Sequence, residues 1–219
     1  MLTGVAFLME HWTEYTRFFI ALFVILDPFA AVPIFLVLTK TYTAGERGHI
    51  ANITSVTVLA VLVAASLIGE TLLHTMGTSL ASFRVGGGIV LMIMALSMLR
   101  AQTDTVRTTP AEEAEAGDRN AIAVVPLAIP LLAGPGAIST AIIEMHRSRT
   151  EYHGLMVILT IASVCLILLI VLRMAATIGR KLGQTGLNII NRLFGLVLAA
   201  IAVEIMANGL KQLFPILAG

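Results

Sequence analysis

Charge is what this sequence has least of. Only 12% of its 219 residues are Asp, Glu, Lys or Arg, 58% are hydrophobic, and the mean hydropathy is +0.94. A soluble domain is about 25% charged, so a water-soluble α/β domain with polar helix faces is excluded. The chain reads as an integral membrane protein. Cysteine is almost absent: Cys165 stands alone inside an apolar run, which leaves no disulfide framework and no thiolate metal cluster. The net charge is +1 and no basic stripe stands apart from the flanks of the apolar runs, so nucleic acid is not an expected partner. Neither G-x-x-x-x-G-K-[ST] nor H-E-x-x-H occurs, and no metal or other cofactor is expected. The opening MLTGVAFLMEHW lacks a basic start and reads as an interfacial turn or helix, not a cleaved signal peptide.

What is present is a series of long apolar runs. A helix needs about 20 apolar residues to cross the hydrocarbon. The candidates are Phe18 to Leu38, Ile50 to Leu73, Val85 to Leu99, Ala121 to Ile143, Gly154 to Leu172 and Leu193 to Leu210. These runs are continuously apolar and do not alternate, which argues against a β-barrel. The expected fold is therefore an all-α integral membrane protein with six transmembrane helices. Between the third and fourth runs, residues 101–120 form a polar linker whose charges lean acidic. It separates a first unit, 1–100, from a second, 121–219. Nine Lys and Arg flank one side of the membrane and five the other, so the loops after runs one, three and five should be cytoplasmic and both termini periplasmic.

Proline is concentrated where a helix tolerates it least. LDPFAAVPIFL holds Pro28 and Pro33, and IPLLAGPGAIS holds Pro130 and Pro135, five residues apart in each case. An offset of 102 residues lays Pro28 on Pro130, Ala31 on Ala133 and Pro33 on Pro135, while an offset of 108 lays Arg84 on Arg192 and Gly87 on Gly195. Three helices per unit is an odd number, so the second unit would be upside down relative to the first. The sequence thus predicts two inverted three-helix repeats, with helices one and four broken at the paired prolines. That pattern points to a secondary transporter with a site near the midplane.

LDPFAAVPIFLVLT, FRVGGGIVLMIMALSML, VVPLAIPLLAGPGAIS and NRLFGLVLAAIAVEIMANGLKQLFP together resemble the MarC family of bacterial and archaeal inner-membrane proteins. The resemblance covers nearly the whole chain, and AGPGAIS is its most specific element. It implies transport of small neutral amino acids of the glycine, alanine and serine class across the inner membrane. Where the family often has Gly shortly after the first proline, this chain has Phe29 and Ala30.

The residues themselves suit such a ligand. A zwitterion needs donors for its carboxylate and acceptors for its ammonium, and interrupted helices expose both. The candidate substrate site comprises Asp27, Pro28, Ala31 and Pro33 from the first motif. From the second come Pro130, Ala133, Gly134, Pro135, Gly136, Ala137 and Ser139. Asp27 would face the ammonium or carry a coupling ion, H+ or Na+, and Glu204 is the second coupling candidate, because acids inside membrane helices are functional by default. The plainer reading of Asp27 is a cap on a helix starting at Pro28. Arg84 and Arg192 read as interface anchors, and Glu70, His74, Glu144, His146 and Arg173 as run-end residues at headgroup level. No catalytic residue is expected. Two other readings stay open: a membrane-embedded enzyme using Asp27 and Glu204 as an acid pair, and a scaffold without transport. A homo-oligomer is compatible with either class.

Overall fold

A computed structural model describes residues 2–100, 123–147 and 152–218, all of them helical or in short connections. The expected linker at 101–120 lies outside the described residues. In chain order the helices are α1 (Leu2–Leu26), α2 (Pro28–Leu38), α3 (Ala44–Thr75) and α4 (Leu80–Leu99). A distorted helical segment, Ala123–Leu132, precedes α5 (Pro135–Met145), α6 (His153–Arg173) and α7 (Ala175–Leu213). Five stretches are long and apolar enough to cross a membrane: Trp12–Leu38, which takes in α2, then α3, α4, α6 and Thr185–Leu213 of α7. The run expected as a fourth span is present as two shorter pieces, Ala123–Leu132 and α5.

Local chemistry sets the boundaries. α3 starts earlier than its apolar run because Thr43 and Glu46 form a reciprocal capping box. α4 begins at Leu80 behind Ser79, whose side chain accepts from the Ser82 N–H at 3.1 Å. α7 reaches back to Ala175, well before Leu193, and bends at Gly183, whose φ of 60° a side chain would oppose. Within the distorted segment Val125 and Ile129 are extended (φ −128° and −129°), and each precedes a proline. The proline ring clashes with a helical conformation at the residue before it. The Thr54 hydroxyl of α3 donates to the Ala123 carbonyl at 3.1 Å, satisfying part of this irregular backbone from outside. At the far end of α2, Arg47 donates to the carbonyls of Thr39 and Lys40, and the Thr39 carbonyl also accepts from the Tyr42 N–H.

The most extensive packing joins α4 to α7, which run antiparallel. A Cβ at Gly88 would lie 3.1 Å from the Ala202 carbonyl, one at Gly195 3.0 Å from the Ala95 carbonyl, and one at Gly209 2.9 Å from the Ala81 carbonyl. Glycine at these places lets the two backbones touch, where a side chain would hold them apart. α3 packs on α5, α6 and the distorted segment, and α1 and α2 fill the remaining centre. Leu22, Leu26, Phe35, Leu62, Leu91, Leu127, Ile161 and Leu168 are enclosed there.

Candidate functional site

Asp27 is the single residue between α1 and α2. It is fully buried and takes a left-handed conformation (φ 44°, ψ 68°), the one positive φ among the described non-glycine residues. Short polar side chains reach this region more readily than others because they bond locally. Here Oδ1 accepts from the Ala30 N–H at 3.2 Å, Pro28 occupies the first helical position, and the Asp27 N–H donates to the Phe23 carbonyl at 3.0 Å. The capping role expected of Asp27 is thus present. Three rings pack beside it: Phe23 and Phe29, 6.3 Å apart edge to face, and Phe194 of α7, 5.8 and 6.1 Å from them. Pro28 and Ala31 are buried, and Pro33 is half-buried further along α2.

The second junction is Ala133–Gly134, between the distorted segment and α5. The Ala133 N–H reaches back to the Ala128 carbonyl at 2.8 Å, Gly134 is extended (φ −76°, ψ 175°), and Pro135 takes the first helical position. No side chain caps this helix. The first turn of a helix leaves N–H groups without partners in the helix itself. At α5 these belong to Gly136 and Ala137, both buried, while Pro135 is exposed and has no N–H to offer. The hydroxyls of Ser139 and Thr140 both donate to the Gly136 carbonyl, at 3.0 and 2.9 Å. Ser139 sits against Gly87 of α4, and Gly136 against Leu91.

The sequence pairs Pro28 with Pro130; in the structure Pro28 and Pro135 each open a helix. Each is the first residue of an eleven-residue helix, and they lie 107 residues apart. Pro130 instead belongs to the distorted segment. α1 packs on α5, and α2 packs on the distorted segment.

Glu204 is not part of this grouping. It is exposed on the outer face of α7, whereas Asp27 is enclosed, so the two acids occupy different environments. A cleft of about 500 Å³ is lined by Pro33 and Leu36 of α2 and by Ala176, Gly179, Arg180, Gly183 and Leu187 of α7. Among the candidate site residues it reaches Pro33 alone.

A charged cluster lies at the other end of the bundle, among residues read from the sequence as an interface anchor and as run-end groups. Arg84 and Glu144 are buried (9% and 7% exposed). Glu144 Oε2 lies 3.6 Å from Arg147 Nη1, while Oε1 and the Arg84 Nε have no hydrogen-bond partner among the described residues. His153 places Nε2 2.8 Å from the Glu144 carbonyl, which can only accept, so that nitrogen carries the proton. Tyr15 then donates to Nδ1 at 3.1 Å. Glu70 lies 3.1 Å from His146 and 3.9 Å from His74. Leu187 lines the cleft, and Gly209, which packs against Arg84, lies about 33 Å further along α7 by helical rise, so cluster and cleft mark opposite ends of the bundle.

Five apolar membrane-spanning stretches define the class: a multi-pass helical integral membrane protein. The comparisons make the family specific. Residues 12–214 match the model of the MarC family integral membrane proteins, and the chain belongs to that family. It is 37% identical over 204 residues to the UPF0056 membrane protein YhcE of Escherichia coli, covering 92% of this chain and 94% of that one. It is 38% identical over 193 residues to a UPF0056 membrane protein of Methanocaldococcus jannaschii (88% and 94% covered) and 36% over 200 residues to YvbG of Bacillus subtilis (91% and 95%). No solved structure matches the chain.

Proposed function

We propose that this chain is a secondary transporter of small neutral amino acids in the bacterial inner membrane, working by alternating access between two inverted three-helix repeats. The observation that carries the reading is the matched pair of junctions, each opening an eleven-residue helix at a proline, 107 residues apart. The antiparallel α4–α7 contact supports the same relation. Gly195 meets Ala95 to Leu99, and Gly88, one position from the counterpart of Gly195 at an offset of 108, meets Ala202 to Met206. A pseudo-two-fold axis in the membrane plane would produce such reciprocal contacts.

In this reading the uncapped start of α5 receives the substrate carboxylate on the N–H groups of Gly136 and Ala137, where a helix terminus carries about half a positive charge. Asp27 would face the ammonium. Small residues at Ala31, Ala133, Ala137 and Ser139 keep the space suited to glycine, alanine or serine, the class the family resemblance implies. The charged cluster around Glu144 closes one end, and the cleft at Pro33 and Gly183 is the start of a path from the other. Coupling to H+ or Na+ would supply the energy.

The test is uptake by purified protein in liposomes. Labelled alanine or glycine should enter in a saturable manner under a proton or sodium gradient and be displaced by unlabelled substrate. Absence of uptake of every small neutral amino acid under both gradients would overturn the proposal.

A further inference from the structure

A helical segment too short to cross the bilayer, set between two crossings, lies at the membrane boundary. α6 ends at Arg173 and the next crossing begins at Thr185, so the first turns of α7, residues 175–182, occupy that boundary. Their composition agrees. Met174 and Leu182 are exposed apolar groups beside exposed Arg180 and Lys181, a mixture suited to the level where headgroups meet acyl chains.

The cleft of about 500 Å³ is built on this segment, and its size falls within the roughly 300–1,000 Å³ of small-molecule sites. Pro33 and Leu36 belong to the crossing that ends at Leu38, and Leu187 to the one that begins at Thr185, so these apolar lining residues come from the membrane crossings. Gly179 keeps α2 and α7 close beside it, since a Cβ there would lie 2.9 Å from Leu36 Cδ1. Arg180 is the charged residue of the lining. Its guanidinium makes no hydrogen bond or ion pair among the described residues.

The surroundings are cationic. Lys40, Arg47, Arg100, Arg173, Arg180 and Lys181 lie at this end of the bundle, and among the described residues Glu46 is the acid that accompanies them. Arg47 is engaged by the carbonyls of Thr39 and Lys40, and Arg173 donates to Asn52 Oδ1 at 2.9 Å. Lys40, four residues beyond Leu36, is exposed like Arg180.

We propose that this cleft binds an anionic phospholipid, with its phosphate on the Arg180 guanidinium and the start of one acyl chain along Pro33, Leu36 and Leu187. The guanidinium fork matches two phosphate oxygens, and basic pockets between membrane helices take anionic headgroups. Free phosphate would leave the apolar wall uncovered. A zwitterionic lipid would bring one more cation to an end that already has an excess of them. On the transport reading, a lipid seated here lies across the path that begins at this cleft and slows it; the binding itself does not depend on that reading.

Native mass spectrometry of the full chain in detergent, titrated with dioleoyl phosphatidylglycerol, tests this. The first phosphatidylglycerol should bind at least fivefold tighter than phosphatidylcholine with the same chains. Arg180→Gln should weaken it about fivefold, the worth of one cation at an anionic surface. Arg100→Gln, exposed at the same end but outside the cleft, should stay within twofold. Ala176→Leu adds bulk to the lining without changing charge and should weaken phosphatidylglycerol threefold or more. Arg180 and Ala176 are exposed, so the melting temperature of the lipid-free protein should not move. Equal binding of the two lipids, or equal losses with Arg180→Gln and Arg100→Gln, would overturn the proposal. So would parental affinity in Ala176→Leu, which would leave diffuse surface charge and no cleft site.

Discussion

At the first junction the residue before the helix is Asp27, left-handed and bonded through its side chain to Ala30; at the second it is Gly134, extended and without a side-chain bond. Both helices begin with proline and run eleven residues. The difference lies in what finishes them. Phe29 follows Pro28 and packs with Phe23 and Phe194, so the first junction is filled by this protein's own groups. Gly136 follows Pro135 and has no side chain, its backbone lying against Leu91 of α4. One junction carries a carboxyl group and the other the N–H groups of an uncapped first turn, and a zwitterion needs both an acceptor and donors.

The sharpest way to break this comparison is to give the second junction a cap. Gly134→Asp should place a carboxylate on the N–H groups proposed to receive the substrate. A charge-assisted hydrogen bond is worth about 1.5–3 kcal/mol, so alanine uptake in liposomes should fall about tenfold or more. Melting temperature should hold or rise slightly, since a helix start gains from an acid. Unchanged uptake would remove the carboxylate from this place.

The comparison extends to the helices behind the junctions. Gly195→Val would drive a side chain into the backbone of α4, and overpacking of this kind costs about 1–3 kcal/mol. Gly86→Val, on the same α4 but with no atom within 4 Å of a new Cβ, should change stability little. Unfolding in detergent micelles would show the contrast, and equal effects would deny the close α4–α7 contact.

A smaller effect is expected at the first junction. Asp27→Ala loses the cap and should cost about 1–2 kcal/mol in the same unfolding measurement. Asp27→Asn keeps both a cap and a residue tolerant of the left-handed region, and should stay within about 0.5 kcal/mol of the parent. If Asn also lowers uptake, charge at position 27 matters to the substrate; if it does not, Asp27 is a cap.

Much of the helical layout was legible in the sequence. The run read as Gly154 to Leu172 is α6, His153–Arg173, because nothing charged or proline-bearing interrupts it. Pro28 behind an aspartate marked a helix start correctly. Three prolines crowd into residues 126–135, and spacing alone cannot say which opens a helix; Pro135 does. Arg84 was read as an interface anchor and Glu144 as a solvated run-end group, yet both are buried. Glu204 shows the converse limit: its place midway along an apolar run gives depth in the membrane but not the face it occupies.

The central claim is that the two junctions hold one amino acid between them, and equilibrium binding of labelled alanine to the purified protein tests it most directly. The predicted result is one saturable site per chain, displaced by glycine and serine and lost in Gly134→Asp. No saturable binding of any small neutral amino acid, or binding untouched by Gly134→Asp, would contradict it.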